Sequence, residues 1–533
     1  MNDRSLGLAE YRLAEAEALL CEAGQLEAFH EWGWGKIEAL PFDNVVAAID
    51  HQIEHQAEAV ALRHLDETVS YRQLGVWADR LAAHLRQLGV KPGDRVGLFV
   101  RRSIPMVAGM LGVIKTGAAY IPQDITITPT ALLGHMAQVA NANVVLYLSE
   151  YQHLLPVLPG VVYLAIDQFL QAPPAEIAHA NPGYPAPDDC CMVLFTSGTT
   201  GTPNGVQVTH RNLCNILLTE PGRLGMQPGR VVSQLLNIAF DMAAWETLGA
   251  LCHGATLLIR HRDIAEAAEQ ADVIIATPSI LAGIDPARCK QAKFVAVAGE
   301  PCPKPLADQW AAQCSFYNCC GPTETTIVNT MQLHAPSLPV MSIGRPTPNN
   351  TVYVLNESGQ PCQPGEVGEM WAGGDGITAG YLANPTLTRE RYRPDPFLGG
   401  GRMMFRTRDL GRWTDGGLLE HMGRVDDQVK VRGFRVELDA VSAMLEKAPG
   451  CARAVTLKAS DRDLVAFVTP LGVDPQAALQ QVAAALPYYC VPTLVIPVAS
   501  LPVTPRGKID KRQLLTLAQA ELAALSGNSG EEA

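Results

Sequence analysis

Hydroxyl side chains and glycines are concentrated in one loop that directly follows the apolar run 193–195. The loop consists of Thr196, Ser197, Gly198, Thr199, Thr200 and Gly201. Glycines let a backbone approach a ligand closely, and hydroxyl and backbone N–H groups donate hydrogen bonds to phosphate oxygens. We therefore interpret the loop as a cradle for a nucleotide polyphosphate. It is not a Walker A loop, because no Gly-Lys-Ser/Thr follows at the required spacing. Taken alone, the loop is also compatible with a flexible surface turn.

Four further motifs follow the loop, at residues 318–326, 405–410, 423–433 and 505–510. Their sequences are NCCGPTETT, FRTRDL, GRVDDQVKVRG and PRGKID. In this order and at these separations, the five motifs resemble the adenylate-forming superfamily, which contains acyl-CoA synthetases, luciferases and the adenylation domains of nonribosomal peptide synthetases. The resemblance extends from about residue 69 to residue 508, which is most of the chain.

The composition excludes several other classes of protein. The chain has 533 residues and a formal net charge of -13, so it lacks the basic balance of a nucleic-acid binder. No run approaches the ~18 apolar residues of a membrane span, and the N-terminus lacks a secretory signal. The 13 cysteines are scattered without metal-ligand spacing, which indicates free thiols in a reducing cytoplasm.

Apolar strands alternate with helical segments through much of the chain, which indicates helix-covered sheets. We predict strands at 96–100, 144–147, 193–195, 273–275, 294–297 and 351–355, a helix at 104–116, and helical structure over 1–40. The loop 196–201 is expected at a strand-to-helix turn. The fold class is α/β. By resemblance it comprises a large N-terminal domain of mixed sheets with a β-barrel-like subdomain and a small mobile C-terminal α/β domain. The expected divisions are a lead-in at 1–45, the core at 46–425, the small domain at 426–520 and a disordered tail at 521–533.

The resemblance implies that ATP and Mg²⁺ activate a carboxylate by forming an acyl adenylate. The loop 196–201 would hold the β- and γ-phosphates, Thr323 would contact the α-phosphate, and Glu324 would bind Mg²⁺. The remaining nucleotide contacts would be the Asp409 carboxylate at the ribose, reinforced by Arg424, the Asn318 side chain at the adenine amino group, the Gly299-Glu300 backbone along the ring, and Cys320 and His421. Lys508 would reach the reacting carboxylate from the small domain. Asp426 would be the hinge about which that domain rotates before a thiol attacks.

The segment 240–246 indicates which acid is activated. In relatives that activate amino acids, the residue at Asp241 pairs with the substrate ammonium, and a buried carboxylate is unfavourable without such a cation. The alternative is an aspartate that caps a helix. The other aligned pocket positions are apolar: Met242, Trp245, Ile275, Ala296, Ala298, Cys319, Ile327 and Val328. We therefore predict a hydrophobic L-amino acid, with phenylalanine favoured and leucine or another apolar residue next.

Four residues depart from the family pattern. Asn204 replaces a lysine, Cys320 and His421 replace tyrosines, and Arg408 replaces a glycine. The predicted partner is a separate carrier protein with a phosphopantetheine thiol, and the need for a small MbtH-like activator is left open. Two other readings stay open at this point, an acid–CoA ligase and an inactive nucleotide-binding scaffold.

Overall fold

The computed structural model describes residues 29, 31–172, 183–197, 203–426, 428–503 and 509–528, with side chains up to residue 523. The strands in chain order are β1 (Val60–His64), β2 (Glu67–Ser70), β3 (Arg95–Val100), β4 (Ala119–Asp124), β5 (Val144–Tyr147), β6 (Val162–Ala165), β7 (Cys190–Thr196), β8 (Asn204–Thr209), β9 (Val231–Gln234), β10 (Thr256–Ile259), β11 (Val273–Ala276), β12 (Phe294–Val297), β13 (Ser315–Cys320), β14 (Thr330–Leu333), β15 (Arg345–Pro346), β16 (Asn350–Leu355), β17 (Gly368–Gly374), β18 (Tyr392–Pro394), β19 (Met403–Trp413), β20 (Leu419–Arg424), β21 (Gln428–Val431), β22 (Phe434–Glu437), β23 (Arg453–Lys458), β24 (Leu464–Thr469) and β25 (Leu494–Pro497). The helices are α1 (Val45–His55), α2 (Tyr71–Gln87), α3 (Ile104–Ile114), α4 (Thr130–Val139), α5 (Ile166–Gln171), α6 (His210–Leu218), α7 (Asp241–Cys252), α8 (Ile264–Glu269), α9 (Pro278–Leu281), α10 (Lys304–Ala311), α11 (Pro385–Arg391), α12 (Leu438–Leu445), α13 (Pro475–Ala485) and α14 (Lys511–Asn528).

Two mixed sheets form the centre of the core region. The larger has the order β15-β14-β13-β12-β11-β9-β10-β1-β2, and the smaller has the order β6-β5-β3-β4-β7-β8. The inner strands run parallel and carry continuous apolar sequence, as expected for strands that are covered on both faces. The antiparallel strands lie at the edges, where β2, β8, β14 and β15 join. The predicted α/β class with mixed sheets is confirmed, and each predicted strand lies within an observed one.

A third, antiparallel sheet follows, in the order β16-β17-β19-β18 with β20 on β19. The pairing of β19 with β17 shifts register between Glu369 and Trp371, whose partners are Leu410 and Arg406. The extra residues on β19 form a bulge, and Arg408 at its centre has a φ of 63°. Such bulges often re-aim a neighbouring side chain beside a site. A left-handed backbone also suits the glycine that the resemblance leads us to expect at this position.

The segment after residue 427 has hydrophobic cores of its own. One core unites the β21–β22 hairpin and α12 with β23, β24 and α13, and a second lies between the three-stranded β23-β24-β25 sheet and α14. Neither core includes a residue from the chain before 428. The turn of the hairpin is two residues long, and both Arg432 and Gly433 have positive φ, the geometry of the tight turns that suit twisted hairpins.

Three local expectations are wrong. Residues 35–40 belong to no helix, and Trp34 makes an isolated β-bridge with Thr351. The loop 196–201 connects β7 to the antiparallel β8 and not to a helix, because the alternating segment Asn204–Thr209 pairs as a strand before α6 begins. The tail expected to be disordered from residue 521 instead continues α14 to Asn528, while 529–533 lie outside the described residues.

Within the described part of the chain, no helix is long and apolar enough to cross a bilayer. The twelve cysteines from Cys190 to Cys490 are all free thiols.

A buried histidine joins the start of α1 to the start of α6. The His210 ring is fully buried, and its Nδ1 atom accepts a hydrogen bond from the Val45 N–H at 3.4 Å, which requires the neutral ring. Burial lowers the pKa of His210 to about 4. Because this folded-state pKa lies below the unfolded value of about 6.5, the stability that depends on the neutral ring is complete above pH 6.5 and is lost as the pH falls towards 4.

We expect a His210→Asn variant to lose part of the acid sensitivity of the protein, because the Asn carbonyl can accept the Val45 N–H without titrating. Between pH 7.5 and pH 5, the unfolding free energy of the wild type should fall by about 2 kcal/mol more than that of the variant. Denaturant unfolding at both pH values measures this difference. The control is His153→Asn, because His153 is exposed. An equal pH dependence of the unfolding free energy in wild type and His210→Asn would contradict the prediction.

The strain at Arg408 can be measured by comparing glycine with alanine. Both replacements remove the Arg408 ion pairs, but only glycine relieves the left-handed backbone, so Arg408→Gly should be more stable than Arg408→Ala by about 1 kcal/mol. At Arg412, which lies on the same strand with ordinary backbone angles, the order should reverse, because glycine is unfavourable in a regular strand. The same order at both positions in thermal unfolding would rule out strain at Arg408.

Candidate active site

Strand ends from the two central sheets meet the small domain at one cavity. The residues that line it come from the end of β7 and the start of the phosphate loop, from the loop after β9, and from the small domain. They include Phe195, Thr196, Ser197, Asn237, Ala239, Phe240, Phe434, Glu437 and Tyr489. Phe434 packs edge-on against Phe240 with ring centroids 4.7 Å apart and stacks on Tyr489 at 4.1 Å. The small domain is therefore docked against the chain segment that precedes Asp241.

Asp241 occupies the first turn of α7 beside this cavity. The N-cap of the helix is Phe240, and no side chain caps the helix, so Asp241 does not serve as a capping residue. Its Oδ1 atom accepts the neighbouring Met242 N–H at 2.7 Å. Burial raises the pKa of the Asp241 carboxyl, and the Thr323 hydroxyl and the Lys430 charge offset this only in part. Among the described residues, no ion pair reaches Asp241, so its carboxylate lacks a close counter-charge.

The eight apolar residues predicted for the substrate wall belong to one packed cluster. Met242, Trp245, Ile275, Ala296, Ala298, Cys319, Ile327 and Val328 are all buried in it. The only strongly polar atom that these side chains bring, the Trp245 indole N–H, donates to the Gly222 carbonyl at 2.7 Å. Ile327 has a φ of 71°, an unfavourable conformation for a β-branched residue. Strain of this kind is found where a site fixes the backbone.

Glu324 lies in a short turn after β13 and is completely buried. Its Oε1 atom accepts the Tyr381 hydroxyl at 2.6 Å, and both oxygens accept the Arg435 Nη1 atom at 3.1 Å. Burial opposes ionisation, yet the Arg435 and Arg391 charges hold the pKa of Glu324 below its ordinary value. The residue predicted to bind Mg²⁺ is thus a carboxylate that a guanidinium of the small domain neutralises in this arrangement.

Asp409 is the second buried carboxylate of the site, placed at the end of the β19 bulge. It forms a short ion pair with Arg424, and its Oδ1 atom lies 3.3 Å from His421 Nε2. Burial raises the pKa of Asp409, but the His421 hydrogen bond and the Arg424 charge outweigh burial and lower it overall. The second oxygen, Oδ2, has none of these contacts, so it can accept a hydrogen bond from a ligand hydroxyl.

The predicted hinge residue is bound on both sides by arginines. Asp426 accepts hydrogen bonds from Arg424 at 2.8 and 3.1 Å, and Arg408 lies 3.6 Å away. Arg408 also pairs with Glu390 at 2.6 Å. The departure from glycine at Arg408 therefore adds a cation next to the hinge.

The remaining predicted adenine contacts lie around β12 and β13. Asn318 donates its amide to the Ser342 carbonyl at 2.8 Å, which leaves its carbonyl oxygen available to accept from an amino group. Gly299 has a φ of 89°, and a side chain there would approach Thr277 and the Gly433 carbonyl of the small domain. Burial raises the pKa of the Cys320 thiol to about 12, so this cysteine is neutral at physiological pH.

One departure from the family pattern has taken a structural role. Asn204, which pairs with Thr196 in the β7–β8 ladder, accepts the Asn384 amide at 3.1 Å. Asn384 in turn caps α11 by accepting the Leu387 N–H at 3.1 Å. A lysine at residue 204 could not accept this hydrogen bond. The asparagine therefore removes a positive charge near the phosphate loop and at the same time holds the residue that caps α11.

Sequence reasoning missed two basic residues of the small domain that face the site. They are Lys430, which acts electrostatically on Asp241 and Asp409, and Arg435, which pairs with Glu324. The available signal was a dense set of basic residues in and just after the 423–433 motif. Gly198, Thr199, Thr200, Gly201 and Lys508 lie outside the described residues, so their predicted roles stay predictions.

Comparisons with known proteins identify the family of the chain. A family model described as AMP-binding enzyme matches residues 49–382. Adenylate-forming reductase 06235 of Coprinopsis cinerea is 44% identical over 494 residues, which cover 92% of this chain and 48% of the relative. The isonitrile lipopeptide synthase of Mycobacterium tuberculosis is 36% identical over 510 residues, which cover 91% of this chain and 20% of the relative. The chain thus spans about half the length of the fungal relative and a fifth of the mycobacterial one.

Among solved structures, an artificially fused adenylation–PCP di-domain NRPS from Klebsiella oxytoca superposes with a TM-score of 0.77 at 23% identity. The match covers 86% of this chain and 94% of that chain, and at this identity it supports the fold alone. The described fold agrees with the match over residues 49–382, which contains the loop 196–201 and the motif 318–326. The chain belongs to the AMP-binding enzyme family.

Proposed function

We propose that this chain activates a hydrophobic L-amino acid with ATP, forming an aminoacyl adenylate and releasing pyrophosphate. Phenylalanine is the favoured substrate, and leucine or another apolar residue comes next. The aminoacyl group would then pass to the phosphopantetheine thiol of a separate carrier protein. The K. oxytoca protein, an artificial fusion of an adenylation domain with a PCP domain, supports a partner of this kind.

The observation that carries the proposal is the Asp241 carboxylate, for which the described residues provide no ion-pair partner. Even a partly buried anion is unfavourable unless a cation approaches it, and the raised pKa of the Asp241 carboxyl reflects that cost. The α-ammonium of an amino acid supplies the missing charge. An acid without an amine would leave it uncompensated. Lys430 contributes at longer range but does not cancel the effect of burial.

The wall beside Asp241 supports an apolar side chain. Its eight members offer no charge and no side-chain amide, and the Trp245 N–H is already bonded to a carbonyl. Placing a charged or amide side chain against such a surface would cost several kcal/mol without a compensating hydrogen bond. Discrimination among apolar side chains is weaker, at ~1–3 kcal/mol per methylene. The order of phenylalanine before leucine is therefore the least constrained part of the proposal.

The other end of the site fits a nucleotide. Asp409 would accept ribose hydroxyls while Arg424 and His421 hold its orientation, and Asn318 would accept the adenine amino group. Hydroxyls of the phosphate loop and Thr323 would bind the phosphates. Glu324 would be the single protein carboxylate for Mg²⁺, a hard ion that takes its other ligands from phosphates and water. When bound, the ion neutralises charge on the departing pyrophosphate. This fits the described residues, none of which form a group of three possible metal ligands.

A second candidate function follows from the fungal relative, whose name describes it as an adenylate-forming reductase. The adenylation step would be the same, but the acyl group would then be reduced by a part of the protein beyond this sequence. The identity of 44% over nearly the whole chain supports this fate as much as peptide synthesis. In that case the activated acid would not have to be incorporated into a peptide.

ATP–pyrophosphate exchange across the twenty amino acids and their amine-free analogues tests the proposal. We expect exchange with phenylalanine to exceed that with 3-phenylpropanoic acid by at least 100-fold. In Asp241→Ala, kcat/KM for phenylalanine should fall by about 100-fold, because an ammonium then lacks its counter-ion. Activity with 3-phenylpropanoic acid should change much less.

The matched control for this test is Asp439→Ala, which removes an exposed aspartate from the first turn of α12. It should leave exchange unchanged. Preference for amine-free acids, or equal losses with both substrates in Asp241→Ala, would contradict the proposed substrate class. Turnover with free CoA in place of a carrier would favour an acid–CoA ligase, and nucleotide binding without any exchange would favour an inactive scaffold.

A further inference from the structure

The β21–β22 hairpin of the small domain occupies two groups that the site would use for the metal and the phosphates. The Ser197 hydroxyl of the phosphate loop donates to the Arg435 backbone carbonyl at 2.9 Å. The Arg435 side chain donates from Nη1 to both oxygens of Glu324 at 3.1 Å. One residue thus engages the hydroxyl and the carboxylate together, although these partners lie 238 and 111 positions away in the sequence.

The turn of the same hairpin fixes this position. A side chain on Gly433, whose φ is 83°, would meet Thr277 at 2.7 Å, so only a glycine allows the turn to lie this close to the core. Behind it, Phe434 packs between Phe240 and Tyr489. The packing of Gly433 and Phe434 therefore fixes the position of Arg435, and the ion pair of Arg435 with Glu324 is part of a formed interface.

The chemistry of Glu324 makes two cations at this carboxylate mutually exclusive. The side chain has no exposed surface, and Tyr381 already donates to Oε1 at 2.6 Å. A Mg²⁺ ion coordinated there would lie within a few ångströms of the Arg435 guanidinium. Two like charges at that separation in a buried setting repel strongly. Tyr381 already bonds Oε1, so the arginine and a metal would compete for Oε2.

We propose that Arg435 is an internal counter-ion that replaces Mg²⁺ at Glu324, so that binding of the metal with triphosphate and docking of the β21–β22 hairpin exclude each other. This inference rests on the proposed function, because it takes Glu324 and Ser197 as metal and phosphate contacts. The hairpin can dock only after the metal and pyrophosphate have left. Departure of the product then leaves the buried Glu324 carboxylate with only the charge of Arg391 nearby, and Arg435 provides the direct ion pair.

The first test measures the affinity of each variant for Mg·ATP by equilibrium dialysis. If the docked hairpin competes with the nucleotide, the apparent affinity of the wild type is reduced by the docked fraction. Arg435→Gln should therefore bind Mg·ATP about tenfold more tightly than the wild type, and Arg435→Lys should lie between them. Arg432→Gln is the control, because Arg432 lies in the same hairpin turn but bonds the Arg462 carbonyl instead.

The second test follows hydrogen–deuterium exchange of the hairpin amides at 429–437. In the wild type without nucleotide they should be protected, and Mg·ATP should raise their exchange about tenfold. ATP with a chelator should raise it less, because no metal then displaces the guanidinium. In Arg435→Gln the amides should exchange rapidly even without nucleotide, while Arg432→Gln should behave as the wild type does.

The outcomes separate this inference from the proposed function. Equal Mg·ATP affinities in wild type and Arg435→Gln would overturn the counter-ion role, even if amino-acid-dependent exchange were intact. The same is true if ATP opens the hairpin equally well with and without Mg²⁺. Tighter Mg·ATP binding by Arg435→Gln in a protein that activates no amino acid would leave the counter-ion role standing and remove the substrate assignment.

Discussion

Two buried carboxylates and one partly buried carboxylate require cations, and the rest of the site is arranged around that requirement. Asp409 obtains its partner from Arg424 on the adjacent strand, within the same sheet. Glu324 obtains its partner from Arg435, across the boundary between the core and the small domain. Asp241 has no ion pair among the described residues, and its pKa is raised accordingly. Asp409 is thus neutralised from within its own sheet, Glu324 is neutralised only while the small domain is docked, and Asp241 is open to a charged ligand.

This gradation matches the order in which a two-step activation would use the groups. In the proposed reaction, the Arg424 partner would hold the nucleoside contact at Asp409 in place throughout. A removable partner at Glu324 would allow the phosphate end to change its occupant as pyrophosphate leaves. Asp241, which has no ion pair within the described ranges, would keep its affinity for the incoming substrate, because a site that is already neutralised would gain little from binding an ammonium.

The sequence was a good guide wherever a signal is local. Continuous apolar runs predicted β11 and β12, since strands covered on both faces need apolar residues at every position. It failed where the local pattern was ambiguous. Segment 204–209 alternates as a strand but follows a glycine-rich loop, and a helix was expected too early. The lead-in has a helical composition, but residues 35–40 are not helical. Trp34 pairs with Thr351 there, and the Gly35 N–H bonds to the Asn350 carbonyl.

The missed residues show why the site itself is harder to predict than the strands. The motifs identified Glu324 and Ser197 as separate contacts for a nucleotide, but nothing in their spacing indicates that one arginine of another domain meets both. Such a contact depends on how the small domain sits on the core, and that placement depends on Gly433, Phe434 and the cavity wall. The same holds for Arg408, which the pattern marks as an unusual residue, while its effect at Asp426 requires the bulge in β19. In the proposed reaction, residues of this kind would determine when each carboxylate is free to bind its ligand, and therefore which step the site could support.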